Sequence, residues 1–285
     1  MAQEGKWGAL AGKQLTEAEF QRFSELIYRQ VGIFMKPEKK ELLNARLGKR
    51  LRECQIDSFQ EYFEFISRPD QRQREFLKFL DSVSTNFTSF FREVSHFEYL
   101  KSHVLPELTA RLAGRELNLW SSASSSGEEP YTIAIFINEF RIAHHPGLRC
   151  RILATDISTK VLSQAQAGIY PVEQTSKVPP EILRQYFQKG VGPSAGKVKI
   201  KDEFRRQVSF QRFNLMDDFP WHGEFEVIFC RNVMIYFDRQ TQEKLVKKFY
   251  QCLNHGGYLF IGHSESISTI SHDFVQVEAT TYKKV

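Results

Sequence analysis

The chain has 285 residues, 41% of them hydrophobic and 26% charged, with a formal charge of +5. That length supports one large or two modest cores, and the balance is that of a globular protein rather than a disordered or fibrous one. The mild basicity suits acidic partners without calling for nucleic acid. Cys54, Cys150, Cys230 and Cys252 are scattered without C-x-x-C or Cys/His spacing, so a disulfide scaffold, a zinc site or another metal centre is not expected.

Residues 1–14 read as a disordered leader. They lack an apolar core of signal-peptide length, and no later run is long enough to cross a bilayer, which points to the cytoplasm with no membrane insertion. Residues 15–82 read as a helical domain. Phe20, Phe23, Leu26 and Ile27 recur at helical spacing, as do Leu43, Leu47 and Leu51, and short helices are expected around Tyr62–Ile66 and Phe76–Leu80. Within KKELLNARLGKRLREC, Lys39, Arg46, Lys49, Arg50 and Arg52 fall on faces that the leucines leave free. A solvated basic face is the ordinary reading of such a run, and a docking surface for an acidic helix is the functional one.

Residues 83–115 read as a linker helix region. Asn86 or Thr85 is expected to cap a helix in which Thr88 and Arg92, four apart, share one side. From Glu116 the period changes, and strand-like runs (ELNLW, CRILATDIS, FEVIFC, GYLFIG) alternate with helical ones. The alternation predicts an α/β domain over 116–285 with a doubly wound, mainly parallel sheet. Residues 169–212 interrupt the rhythm with a Gly/Pro turn and two alternating runs, KVKIKDEF and QVSFQRF, and read as a small antiparallel insertion. The tail FVQVEATTYKKV reads as an antiparallel edge strand.

The stretch LWSSASSSGEEPYTIA is a strand-to-helix crossing built from side chains so small that backbone N–H groups can approach a ligand closely. It is not a G-x-G-x-x-G fingerprint. Glu128 and Glu129 just beyond it would repel a pyrophosphate and suit a cationic cofactor rich in hydroxyl and amino groups. Asp156, ending the second strand, can accept both hydroxyls of a ribose. Asn214 and Leu215 at the next strand end offer an amide and an apolar wall for an adenine. Arg231, Asn232 and Tyr236 leave FCRNVMIYF at the same edge of the sheet.

The strings NFTSFFRE, WSSASSSGEEPYTIA, ATDIS, GIYP, NL, IFCRNVMIYF and GHSES, in this order, closely resemble the chemotaxis receptor methyltransferases of the CheR family, from about residue 16 onward. The resemblance implies a Rossmann-like class I S-adenosylmethionine (SAM) methyltransferase domain with a β insertion, preceded by an all-α domain. It implies a protein-glutamate O-methyltransferase that forms glutamate 5-O-methyl esters on chemoreceptors and releases S-adenosylhomocysteine. Carried over onto matching positions, the cofactor site would comprise Asn86, Thr88, Arg92, Glu129, Asp156, Asn214, Leu215, Arg231 and Asn232, with Glu128 the structural member of the acidic pair. Arg92 and Tyr236 would position the incoming carboxylate. The implied partners are the acidic methylation helices of the chemoreceptor cytoplasmic domain, met by the helical region, and a receptor C-terminal peptide at the β insertion. With no coiled-coil pattern and no large apolar stripe, a monomer is expected. A methyltransferase of small molecules or RNA would need a lid or an aromatic-and-basic groove that does not stand out here.

Overall fold

In the computed structural model, residues 14–68 and 72–285 are described, so the expected leader lies outside them except for its last residue. The chain divides into two compact units. One holds the described residues up to Thr85 together with Tyr236–Asp238, and the other holds Asn86–Ile235 and Arg239–Val285.

The first unit is helical: α1 (Glu17–Val31), α2 (Lys40–Cys54), α3 (Phe59–Ser67) and α4 (Arg72–Val83). Thr16 opens α1 with a reciprocal capping box to Glu19, and Gly32 ends it in the left-handed conformation at φ 71°. The periodic residues Phe20, Phe23, Ile27, Leu43, Leu47, Leu51, Tyr62 and Phe79 are buried together as its core. One expectation fails here. Arg50 is not on a free basic face but is buried, with Nε donating to Glu75 Oε1 at 2.9 Å and Nη2 to Glu75 Oε2 at 2.6 Å. Tyr62 Oη donates to the same carboxylate at 2.9 Å. Arg46 is half-buried and donates to the Val83 carbonyl at 2.6 Å, which leaves Lys39, Lys49 and Arg52 as the exposed cations of the run.

The second unit begins with a further departure. Residues 85–89 are irregular and 90–94 form turns rather than a helix. Phe91 and Glu93 both sit at φ 55°, which no helix admits. Phe90 is buried edge-on against Tyr170 at 4.9 Å and Phe187 at 5.3 Å between ring centroids. That packing overrides local helix preference, so Thr88 and Arg92 do not share a helix face. Helices α5 (Ser95–Tyr99) and α6 (Leu105–Leu112) follow, joined by a π-helical turn over Leu100–Val104.

The α/β part runs β1 (Leu117–Ser121), α7 (Glu128–His144), β2 (Cys150–Asp156), α8 (Thr159–Ala167), β3 (Ile169–Pro171), α9 (Pro180–Tyr186), β4 (Phe187–Lys189), β5 (Lys197–Ile200), α10 (Asp202–Arg205) and β6 (Val208–Arg212). It continues with β7 (Phe225–Cys230), α11 (Arg239–Cys252), β8 (Leu253–Ile261), β9 (Phe274–Glu278) and β10 (Thr281–Lys284). Seven strands form one sheet in the order β6-β2-β1-β7-β8-β10-β9. The first five in that order are parallel, and β10 and β9 are antiparallel additions. The doubly wound sheet is therefore as expected, with its topological switch point between β1 and β7.

Two strand assignments change. The run QVSFQRF is not part of the insertion: as β6 it pairs in parallel with β2, Asp156 opposite Arg212, and the separate antiparallel sheet is β3-β5-β4. The tail is not one strand but a hairpin whose second strand, β10, lies against β8. Among the described residues no helix is long and apolar enough to cross a membrane.

Candidate active site

The loop between β1 and α7 straddles the switch point, tied to both neighbouring strands. Ser122 N–H and Oγ donate to the Phe229 carbonyl of β7 at 2.9 and 3.0 Å, and Ser124 N–H donates to the Thr155 carbonyl of β2 at 2.8 Å. Gly127 then turns into α7 at φ 98°. A Cβ there would come within 2.9 Å of Ala165 Cβ and Tyr170 Oη, so only glycine fits.

Asp156 sits at the carboxyl end of β2, and its carboxylate is locked by backbone. Oδ2 accepts from Ser125 N–H at 2.9 Å and Oδ1 from Ser158 N–H at 2.9 Å. Ser158 itself caps α8 by accepting from Val161 N–H, which separates the two roles that either residue might have taken. Ser125 Oγ donates to the Asn86 carbonyl at 2.9 Å, joining the irregular segment to the loop. Phe213 N–H donates to the Asp156 carbonyl at 3.0 Å, so Asn214 and Leu215 follow directly from the end of β2's neighbour. Leu215 is buried, as an apolar wall requires, while Asn214 Oδ1 accepts from Met216 N–H at 3.1 Å in a local turn.

On the other side of the loop, Arg231 leaves β7 with its side chain 1% exposed. Its Nη1 donates to Glu129 Oε2 at 3.0 Å, and its Nη2 donates to Glu93 Oε2 at 3.0 Å and to the Arg92 carbonyl at 2.5 Å. Ser121 Oγ donates to Glu129 Oε1 at 2.7 Å. Burial pushes the Glu129 carboxyl up, and Arg231 and Ser121 oppose that rise. Burial also works against Glu93, yet Arg231, Asn232 and the His263 N–H together hold its carboxyl below the usual range. Glu128 points elsewhere: it is buried, accepts from Ser126 Oγ at 2.7 Å, and is pushed up by that burial.

The sequence motifs alone do not single out Glu93 or Glu265, although both lie within quoted strings. Glu93 Oε1 accepts from Asn232 Nδ2 at 3.1 Å. Glu265 is buried and its carboxylate accepts from the N–H groups of Gly262 (2.6 Å), Asn232 (2.9 Å) and Ile235 (3.3 Å). It thereby holds Asn232 in the left-handed conformation at φ 58°. A Cβ on Gly262 would meet Asn232 Nδ2 at 2.5 Å, so the clamp needs glycine there. The remaining expected residues fall as follows. Thr88 is half-buried in the irregular segment. Arg92 Nη1 donates to the Phe87 carbonyl at 2.9 Å with its guanidinium over the Phe87 ring. Tyr236 belongs to the helical unit, where its carbonyl accepts from Phe34 N–H at 2.9 Å.

Buried Ser124 Oγ and Arg231 Nε have no hydrogen-bond partner among the described residues. A crossing of small residues at the switch point, an acid fixed at the end of β2 and a second, arginine-held acid at the start of α7 match what a cationic nucleoside cofactor needs. The fold and this donor set define a SAM-dependent methyltransferase.

Comparison with known proteins gives the family. Residues 86–283 match the CheR methyltransferase SAM-binding domain, and residues 18–84 match the CheR methyltransferase all-alpha domain. The chain belongs to the CheR methyltransferase family. Among similar relatives, a chemotaxis protein methyltransferase of Klebsiella aerogenes is 40% identical over 94% of this chain and 90% of its own length. A probable chemotaxis protein methyltransferase of Rhizobium etli is 40% identical over 90% of this chain and 96% of its own. The chemotaxis protein methyltransferase of Escherichia coli is 38% identical over 94% and 91%.

Proposed function

We propose that this protein works in the cytoplasm as a chemoreceptor methyltransferase, moving a methyl group from SAM to receptor glutamates and leaving glutamate 5-O-methyl esters and S-adenosylhomocysteine. The observation that carries the reading is the acid-flanked, small-residue crossing at the switch point between β1 and β7. SAM supplies a methyl group already activated on a sulfonium.

The chain's own residues have a limited task. A glutamate side chain is ionised at neutral pH, so the attacking oxygen needs no general base, and catalysis reduces to alignment and exclusion of water. Asp156, oriented by two backbone N–H groups, is assigned to the ribose hydroxyls, and Leu215 with Asn214 to the base. Glu129 is assigned to the cationic end, with Arg231 fixing its direction and opposing the rise that burial imposes on its carboxyl. Asn232, held by Glu93 and Glu265, completes that side, Asn86 borders the loop, and Thr88 is assigned to the site by its motif. Arg92, partly exposed beside the cluster, is assigned to aiming the incoming carboxylate. The same role for Tyr236 rests on its motif.

Lys39, just before α2, and Lys49 and Arg52 on it offer exposed cations for the acidic methylation helices of a receptor. The β3-β5-β4 sheet has edges to which a receptor C-terminal peptide can add as a strand. The working form is taken as a monomer.

Incubation with labelled SAM and chemoreceptor-containing membranes tests the reading. Base-labile label on the receptor is expected, reduced in Arg92→Ala and in Tyr236→Phe. Label that appears only on small molecules or RNA, or cofactor binding with no transfer, refutes it.

A further inference from the structure

We propose that Glu93, His96 and His263 form a site for one borderline divalent metal ion, zinc or cobalt(II). Their ligand atoms lie within 4.8 Å of one another, on the segment entering α5 and on the turn leaving β8. Glu93 and His96 are three residues apart, while His263 is brought in only by the fold. No Cys/His spacing in the sequence announces the set.

His96 Nε2 lies 2.7 Å from Thr280 Oγ1, a contact that anchors the ring and leaves Nδ1 as the atom available to a metal. That Nδ1 is buried without a hydrogen-bond partner among the described residues, and it faces the Glu93 Oε2 at 3.8 Å. A buried ring nitrogen left without a partner beside a carboxylate is satisfied when a metal ion stands between the two.

The wider arrangement has the features of a metal site. The hydrogen bond between Nε2 and Thr280 Oγ1 orients the ligand ring from behind, and Ser95 Oγ lies 3.2 Å from His263 Nε2 in a similar supporting position. Two imidazoles and one carboxylate are a set that zinc accepts with a fourth position open. A cavity of about 390 Å³ lined by His96, His103, His263, Glu98, Glu278 and Thr280 gives access from solvent. A zinc ion about 2.1 Å from each atom needs the ligands roughly 3.4 Å apart. Binding therefore draws the three together, with exposed His263 the freest to move.

The test is titration of untagged, full-length protein with zinc by calorimetry and with cobalt(II) by visible absorption, alongside His96→Gln, His263→Gln and His144→Gln. One equivalent of metal is expected, with cobalt bands of a four- or five-coordinate histidine site. His263→Gln and His96→Gln should each weaken uptake more than about tenfold, and His144→Gln, altering a histidine at the far end of α7, should not. His263 is exposed, so its variant reads the site without a folding cost. The inference is overturned if the wild type takes up no stoichiometric metal, or if His263→Gln binds as tightly as the wild type.

Discussion

Each of the two units buries one arginine against carboxylate, and the two are used differently. Arg50 in the helical unit has all three guanidinium nitrogens engaged, by Glu75, Glu53 and Cys54, and Glu75 is further bonded by Tyr62. Arg231 in the α/β unit is shared between Glu93 and Glu129, and its Nε has no partner among the described residues. A saturated pair ties α2 to α4. An arginine divided between acids, at the carboxyl edge of a parallel sheet, orients groups that must also meet a ligand. Burial of a salt bridge therefore does not by itself mark a site, whereas a buried arginine left incompletely satisfied at a strand end is a candidate for one.

The largest expected effects separate the two arginines. Arg50→Met should cost about 3–5 kcal/mol of unfolding free energy, because Glu75 is left buried without its counter-charge. Its affinity for S-adenosylhomocysteine, measured where the variant is folded, should stay at the wild-type value. Arg231→Met should lose stability on a similar scale and also weaken that affinity at least tenfold, about 1.4 kcal/mol.

In metal-free protein, acid should act on the α/β unit through His96. Its folded value, about 3, lies below the ordinary 6.5, so the unfolded chain binds the extra proton first. The stabilisation is fully present above pH 6.5 and is lost progressively as pH falls toward 3. Denaturant melts across that window should show the slope, and His96→Gln should flatten it; equal slopes would remove His96 as its source.

Smaller again is Glu265→Gln, which swaps a carboxylate clamp for a weaker amide and should cost about 1–3 kcal/mol through poorly satisfied backbone N–H groups. Because Asn232 loses its fixed φ, the KM for SAM should rise more than kcat falls. The smallest effect belongs to Thr16→Ala, about 1 kcal/mol from a lost helix cap in thermal melts, with cofactor affinity untouched.

What the sequence disclosed and what it hid follow from the range of the forces involved. The placement of the Ser122–Gly127 crossing, Asp156 and Arg231–Asn232 at strand ends was legible, since an apolar run that breaks off into small or polar residues marks where a strand stops. Glu93 was hidden because its role depends on the left-handed turn at Phe91 and Glu93, imposed by the burial of Phe90 rather than by local preference. Alternation in QVSFQRF announced a strand but could not say that its partner is β2. The tail hairpin turns through Ala279 and Thr280, the latter at φ 52°, without the Gly or Asn that usually signals such a turn. Arg50 looked like a surface cation until Glu75, on another helix, claimed it.

The most direct test is calorimetric titration of S-adenosylhomocysteine into wild type, Arg231→Met and Arg50→Met under one folded condition. The expected result is single-site binding that Arg231→Met weakens at least tenfold and Arg50→Met leaves alone. A wild type that takes up no ligand, or an Arg231→Met that binds equally well, contradicts a cofactor site at the β1–β7 switch point.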